Sequence, residues 1–442
     1  MKKPSIRPVL TVTAACLLPA VVHAQTTLQS PPGGILGESA AQPAGQSAAT
    51  PMSTPMGVDM TVPVSPAQSI SQPFPPVSAA ATQREGLTFK ARAGIERDSN
   101  VTRVSAGRIS DTITGYGVGL RYQKRLSQQQ FVVDVDADRY HYDNLNADYS
   151  TLNYAAAWMF RFGNRIDGTA SAGRRQFRDV TQNGTAGIIN RRTERNELLE
   201  GGYRLDPRNR VIAGLQRSSI TSSDPLSWDG NQTQTSVRLG YAHELPTGSS
   251  LTARARFGDG EYRTLPGSDF EDREFDVTTR WVVSPRTSVD ARLGHLSRDH
   301  SGALAGFDFD GMVGAINVNW DITGKTSLRA GYARDLGSYL SAAATAGHLE
   351  SDRWYVAPVW RATELTSVTL RYEHETRRFV GVDVGADVGR RDRFNVLALG
   401  VDWQVRRTIA VSAQIRNERR SSTLPAFNYR ANVIGLSARL TI

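Results

Sequence analysis

The residues with the most chemistry in this sequence are charged, and they recur at every second position. The stretch VVDVDADRY carries Asp134, Asp136 and Asp138 at i, i+2 and i+4. In an extended chain that spacing puts three carboxylates on one face. Later segments do the same with guanidiniums. Arg254 and Arg256 share TARARF, and Arg280, Arg292, Arg329, Arg371 and Arg416 each lie beside apolar neighbours in an alternating run. Across a water-filled space, an acidic row facing a basic set would make a transverse field that aligns polar or anionic solutes. The same residues would also serve as compensating pairs between neighbouring strands, which accounts for most of them. Aromatic residues on the charged face are sparse, with Tyr140 and Tyr355 the best candidates.

Catalysis has little foundation. His141, His243, His295, His300, His348 and His374 are scattered, and neither HExxH nor GxSxG occurs. His295, Asp299 and His300 share one segment, where solvated rim residues are the simpler account. FDFDG at 307–311 has two acids at i and i+2 but lacks the other ligands of a calcium loop. We expect no enzyme, no metal site and no cofactor.

The elements that position these charges follow from the pattern. The chain has 442 residues, 39% hydrophobic and 21% charged, with a mean hydropathy of −0.37. Residues 1–24 read as an export signal: Lys2, Lys3 and Arg7 precede an apolar stretch, and Val22-His23-Ala24 fits a cleavage site. The single cysteine, Cys16, lies inside this segment, so the mature chain would have neither disulfides nor thiolate chemistry. After residue 24 no run approaches the roughly 18–20 apolar residues of a spanning helix. Residues 25–85 hold 10 of the 20 prolines and almost no charge, and read as a disordered periplasmic linker. The net charge of +9 is spread along the chain rather than clustered, which argues against nucleic acid as a partner.

From 86 to 442 the texture is constant. Eighteen segments alternate with period two, and the connections between them are tight and loose in turn. Tight ones include Gly163-Asn164, Asp206-Pro207-Arg208-Asn209 and Ser284-Pro285-Arg286. Loose ones include VTQNGTAGIINR, SAAATAGHL and VGVDVGADVGR. That alternation predicts an all-β fold: a transmembrane antiparallel up-and-down β-barrel of about 18 strands, with short periplasmic turns, longer outer loops and both termini periplasmic. In strand after strand one face is apolar and thin while the other is rich in Arg and Asp, as expected for lipid outside and water inside. Five of the seven tryptophans, Trp158, Trp281, Trp320, Trp360 and Trp403, fall just before a tight turn with outward parity, as do Phe160 and Phe162. These predict an interfacial aromatic girdle at the periplasmic side. Trp354 falls near the opposite end and Trp228 in a loop. Pro358 alone among the later prolines interrupts a strand, and predicts a bulge or strand end.

SLTARARFGDGEYRT, WDITGKTSLRAGYARDLGSY, VAPVWRATELTSVTLRYEHETRRFVG and the C-terminal stretch from LGVDWQVRR to SARLTI resemble the EpsL-type outer-membrane β-barrel proteins encoded in exopolysaccharide operons. The resemblance covers 86–442 and transfers no functional residue. Its last residues, Leu440-Thr441-Ile442, depart from the terminal aromatic that the barrel-assembly machinery reads. It implies a porin-like channel in the outer membrane of a Gram-negative bacterium, exporting an exopolysaccharide chain delivered by a periplasmic polysaccharide-export protein. The barrel pattern fits two other readings: a general or substrate-specific uptake porin, and an adhesin or scaffold with a plugged lumen.

Overall fold

The computed structural model describes residues 85–179, 190–223, 231–340, 346–382 and 387–442. The export signal with Cys16, the linker, Trp228 and Pro225 lie outside the described residues, as do parts of the loose connections after 179, 340 and 382.

The described residues form eighteen strands, of which the first half is β1 (Gly86–Asp98), β2 (Asp111–Leu126), β3 (Gln129–Tyr142), β4 (Tyr149–Phe162), β5 (Ile166–Asp179), β6 (Asn190–Arg204), β7 (Asn209–Ser222), β8 (Gln232–Glu244) and β9 (Ser250–Tyr262). The second half is β10 (Asp269–Ser284), β11 (Thr287–His300), β12 (Phe309–Asp321), β13 (Thr326–Leu340), β14 (Ala346–Arg361), β15 (Thr366–Val380), β16 (Arg391–Arg406), β17 (Ile409–Ser422) and β18 (Tyr429–Thr441). Each pairs antiparallel with its neighbours in sequence, and β1 closes the ring on β18 through pairs such as Ala93↔Ala438. No sheet edge is left open, so each strand finds its backbone partners inside the sheet. Lipid demands this of a spanning structure, since it offers none.

The strands form because their side chains suit a sheet with a different solvent on each face. Leu293, Phe275, Ile415, Ile434 and Leu436 all point outward and are more than half exposed, while their sequence neighbours Arg292, Glu274, Arg416, Val433 and Gly435 point inward and are buried. A soluble sheet would show the reverse distribution. Connections of two to five residues join the strands at one end and connections of five to twelve at the other. Gly163 and Gly248 supply the positive φ that two of the tight turns require. Next to the two-residue turns 285–286 and 407–408 the register slips between Val282 and Ser284 and between Gln404 and Arg406, as bulges at a barrel rim do.

Pro358 departs from expectation. β14 runs unbroken through it, and its register against β15 is the same on either side, Val356↔Tyr372 and Val359↔Thr369. Two pairs are missing between them, while Leu328↔Pro358 holds on the β13 side. The missing N–H therefore costs local ladder bonds on one side only, and neither a bulge nor a strand end results.

Candidate functional site

The lumen is built from the inward residues of all eighteen strands, and it changes character along its length. At the short-turn end the long polar side chains of β1, β2, β10, β12 to β14 and β18 are partly open to solvent, while Asp167, Arg210, Thr252, Val359 and Ser412 at the same end are buried. Lys90 bridges Asp134 at 2.5 Å and Asp136 at 3.0 Å, Arg92 binds Asp138, and Arg121 reaches Asp134 at 3.5 Å. The Arg92 and Arg121 side chains keep 34% of their surface accessible. Arg439 stands directly across the ladder from Arg92. Arg280 and Asn319 are exposed, and Arg329 and Arg361 half-buried.

Midway, the charges are buried and tightly paired. Arg254 meets Asp276 at 2.9 Å. Glu274 lies between two guanidiniums, Arg256 at 2.5 Å and Arg292 in direct contact. Arg371 binds Glu373 at 2.7 Å, Arg377 binds Glu375 at 2.6 Å, and Arg416 binds Glu418 at 2.6 Å. Arg371 also stacks 4.2 Å above the Tyr355 ring. The expected acidic row and basic set thus face inward as the alternation predicts, but they do not oppose one another across a channel. Asp134, Asp136 and Asp138 are neutralised by β1 and β2, while Arg254, Arg256, Arg292, Arg371 and Arg416 have carboxylates on their own or adjacent strands. Opposite charges two residues apart on one strand, or on neighbouring strands, lie within contact reach, and a lumen-wide separation cannot compete. The transverse field is replaced by local pairing, and at the more open end Arg280 stands directly across the ladder from Asp290.

At the long-connection end the lumen is filled. β13 parts from β12 beyond the pair Gly314↔Arg334, yet stays paired with β14 to Leu340↔Ala346. The freed tip turns into the mouth and buries both faces. Leu336 packs on Leu296, Phe309 and Val313. Ser338 accepts from Tyr262 at 2.5 Å and from Arg298 at 2.9 Å, and Leu340 joins Tyr262, Phe270 and Leu304. On the opposite face Tyr339 packs on Phe379 and Val382 and donates to Asp387 at 2.7 Å. Arg390, fully buried, lies 3.6 Å from the Phe427 ring centre and 4.3 Å from that of Phe379, and pairs with Asp387 and Asp392.

The 99–110 connection enters from the other side. Val101 packs on Ile113, Tyr142 and Tyr149. Arg103 holds Asp98 at 2.7 Å and Glu418 at 2.8 Å. Burial disfavours the Arg103 charge, but Asp98 and Glu418 outweigh it and raise its pKa well above the ordinary arginine range.

Inward aromatics are consequently far from sparse. Beyond Tyr140 and Tyr355, the mouth holds Tyr142, Tyr262, Phe270, Phe309, Tyr339 and Phe379 among others, all buried. Each sits at a strand end beside a long connection, and that end position was the available signal. Trp281, Trp320, Trp360 and Trp403 are outward and 45–56% exposed at the short-turn end. Trp158 packs tilted against Phe160, and Phe160 against Phe162, along β4, at ring distances of 4.7 and 5.4 Å. The rim histidines do not converge: His295 points outward to Asp310 at 3.3 Å, whereas His300 points inward beside Tyr262 and Ser338. Among the described residues no group of three or more His, Cys, Asp and Glu could hold a metal ion.

No family model matches the chain, and no curated protein does. Solved structures with a similar fold include OpdK of Pseudomonas aeruginosa with vanillate, 12% identical over 80% of this chain and 98% of its own, with a TM-score of 0.47. OccK2 (OpdF) of the same organism, in complex with glucuronate, is 12% identical over 81% of this chain and 98% of its own, TM-score 0.47. OccAB3 of Acinetobacter baumannii is 10% identical over 80% and 98%, TM-score 0.46. These likenesses carry no statement about what passes through. The closed sheet, outward apolar surface and outward aromatic residues of this chain are by themselves those of a transmembrane antiparallel β-barrel.

Proposed function

We propose that the protein is a small-solute channel of the outer membrane, an uptake porin for small polar and anionic molecules, with the long connections outside and both termini in the periplasm. The carrying observation is the gradient in the lumen. A partly hydrated vestibule at the short-turn end leads to a constriction of buried ion pairs and inward aromatics. The cations Lys90, Arg92, Arg121, Arg280, Arg329, Arg361 and Arg439 border the vestibule against the carboxylates Asp134, Asp136, Asp138, Asp290 and Asp402, and this excess favours anions entering it. Export of an exopolysaccharide, which the sequence resemblance implies, finds no support in this geometry. An extended glycan would need the whole mouth filling to leave, whereas a small solute needs only a local rearrangement.

The test is electrical. The full-length protein in planar bilayers should give small, discrete conductance steps with anion preference in the reversal potential, and liposomes carrying it should admit small organic anions. A barrel silent to every ion would instead be a plugged scaffold. A deletion strain that retains polymer in its periplasm while its small-solute permeability is unchanged would overturn the uptake reading in favour of export.

A further inference from the structure

The outer face of β16, β17, β18 and β1 carries a second charged feature that the lumen does not use. Above the apolar surface, the outward residues of these four adjacent strands are Arg391 and Arg393, Arg419, Arg430, and Arg97, all exposed. The outward positions of these strands hold no Asp or Glu at any height. Arg419 and Arg430 are direct partners in the ladder. Like charges placed opposite each other across an antiparallel pair destabilise it unless something neutralises them. Among the described residues none of Arg391, Arg393, Arg419 and Arg430 has a carboxylate partner.

The opposite side of the barrel shows what compensation looks like at the same height. There Arg273 on β10 lies 3.2 Å from Glu271 and 3.5 Å from Asp299 of β11. Closer to the patch, Arg378 on β15, which faces Arg391 in the ladder, is held by Glu350 at 2.5 Å. The uncompensated sector is therefore local.

Its height is informative. Ile95, Leu397, Ile415 and Ile434 are the last outward apolar residues of their strands. Asn395, Asn417 and Asn432 follow on β16 to β18, with Asn417 donating to Asn432 at 2.6 Å. Arg391 lies six residues beyond the apolar limit, and the other four arginines come two to four residues beyond it. At about 3.3 Å per residue and a tilt near 40°, that is roughly 5–10 Å above the hydrocarbon, the depth of the headgroup layer.

We propose that this patch binds the phosphate groups of a phosphorylated membrane lipid of the lipid A type, in the leaflet at the long-connection end. Forked guanidiniums on adjacent strands can take a phosphate bidentately, and a phosphomonoester carries more charge and more acceptor oxygens than a phosphodiester. The apolar face directly beneath, Leu397, Leu399, Ile415, Ile434 and Leu436, takes the acyl chains. The asparagine row between offers amide contacts to the sugar or ester groups.

The experiment uses the full-length protein in nanodiscs and native mass spectrometry with three added lipids: bisphosphorylated lipid A, its dephosphorylated form and phosphatidylglycerol. Lipid A should bind most tightly, and the double substitution R419Q/R430Q should weaken it roughly tenfold or more, with R393Q adding to the loss. R273Q, on the acid-paired side, should leave binding unchanged. Retained heat-modifiable mobility on gels confirms that each variant is folded. Equal binding of the dephosphorylated lipid or of phosphatidylglycerol overturns the proposal. So does a double variant that binds lipid A normally but no longer associates with a second copy, which would make the patch a contact between barrels. None of these outcomes depends on what the lumen conducts.

Discussion

Tyr262 donates a 2.5 Å hydrogen bond to Ser338, although β10, β11 and β12 stand between their strands in the wall. Such a contact cannot form along the sheet. It forms because the tip of β13 and β14 has left β12 and crosses the mouth of the barrel, carrying Ser338 to Tyr262, Arg298 and His300.

That placement predicts how the constriction is released. Leu336 fills a site between Leu296, Phe309 and Val313, and truncating a buried leucine to alanine typically costs about 2–5 kcal/mol. Leu336→Ala combined with Ser338→Ala removes the apolar anchor and the acceptor together, while the wall pairs from Thr326↔Trp360 upward are untouched. Single-channel conductance should rise, with the folded barrel still running as a heat-modifiable band. If a spin label near Leu340 reports a mobile tip but conductance is unchanged, the tip does not control the constriction.

Glu274 makes a sharper prediction about selectivity. It is buried and contacts both Arg256 and Arg292, with Asp272 a more distant second partner of Arg256 at 3.7 Å. Removing one partner of a buried ion pair is costly, about 3–5 kcal/mol, because the remaining charge is stranded. Glu274→Gln should therefore lower resistance to denaturant and move the reversal potential further towards anions. Adding Arg292→Gln should recover much of the stability and return the selectivity, and that non-additivity distinguishes a coupled triad from independent residues.

The strands and their ends were legible in the sequence for a physical reason. A wall with lipid on one side and polar groups on the other forces period-two alternation, and short turns need Gly, Pro, Asn and Asp. Trp320 before its turn, with Ile316 and Val318 on the same face, could be placed without coordinates. The filling of the mouth was not legible, because an inward Arg or Tyr obeys the same parity whether it borders water or another side chain. Ion pairing between strands likewise depends on register, which fixes Glu274 beside Arg256 and Arg292, whereas pairs within one strand such as Arg371–Glu373 are written in a single segment. LGSYL at 336–340 puts apolar residues on both parities, as a strand buried on both faces does, but FVV at 131–133 and AAAWMF at 155–160 do the same in wall strands, so the pattern alone does not mark the inserted tip.

The tight turn at 205–208 gives a pH-dependent prediction. Asp206 accepts from the backbone N–H of Arg208 at 2.8 Å and of Asn209 at 3.0 Å, and from the Asn209 side chain at 2.6 Å. The Asn209 amide, followed by the Arg208 N–H, favours the charged carboxylate and lowers its pKa. A group whose folded pKa is depressed stabilises the fold above its unfolded pKa, near 3.9 for Asp, and loses that contribution as pH falls through the lower folded value. The wild-type protein should thus be more stable than Asp206→Asn at neutral pH, and the two should converge in acid. A difference that persists unchanged below pH about 3 would rule out this turn as the titrating element.

The aromatic belt makes a prediction about depth. Trp281, Trp320, Trp360 and Trp403 lie at the short-turn ends of β10, β12, β14 and β16 and all point outward. Their amphipathic rings gain from sitting where one side is apolar and the N–H meets water, so each should anchor the barrel vertically as well as stabilise it. A protein retaining Trp320 as its single tryptophan should be quenched most by lipids brominated near the headgroup and least by those brominated near the chain end. Trp354, midway along β14, is that strand's last outward apolar residue towards the long connections and packs tilted against Tyr372 at 5.3 Å, so its quenching reports the other boundary. Substituting all four belt residues by Phe should cost less than substituting them by Ala, because Phe keeps the apolar area and loses only the N–H contact. Strongest quenching of Trp320 from the bilayer centre would mean that the barrel sits deeper than its apolar surface implies, and the girdle would then have to be placed elsewhere on the wall.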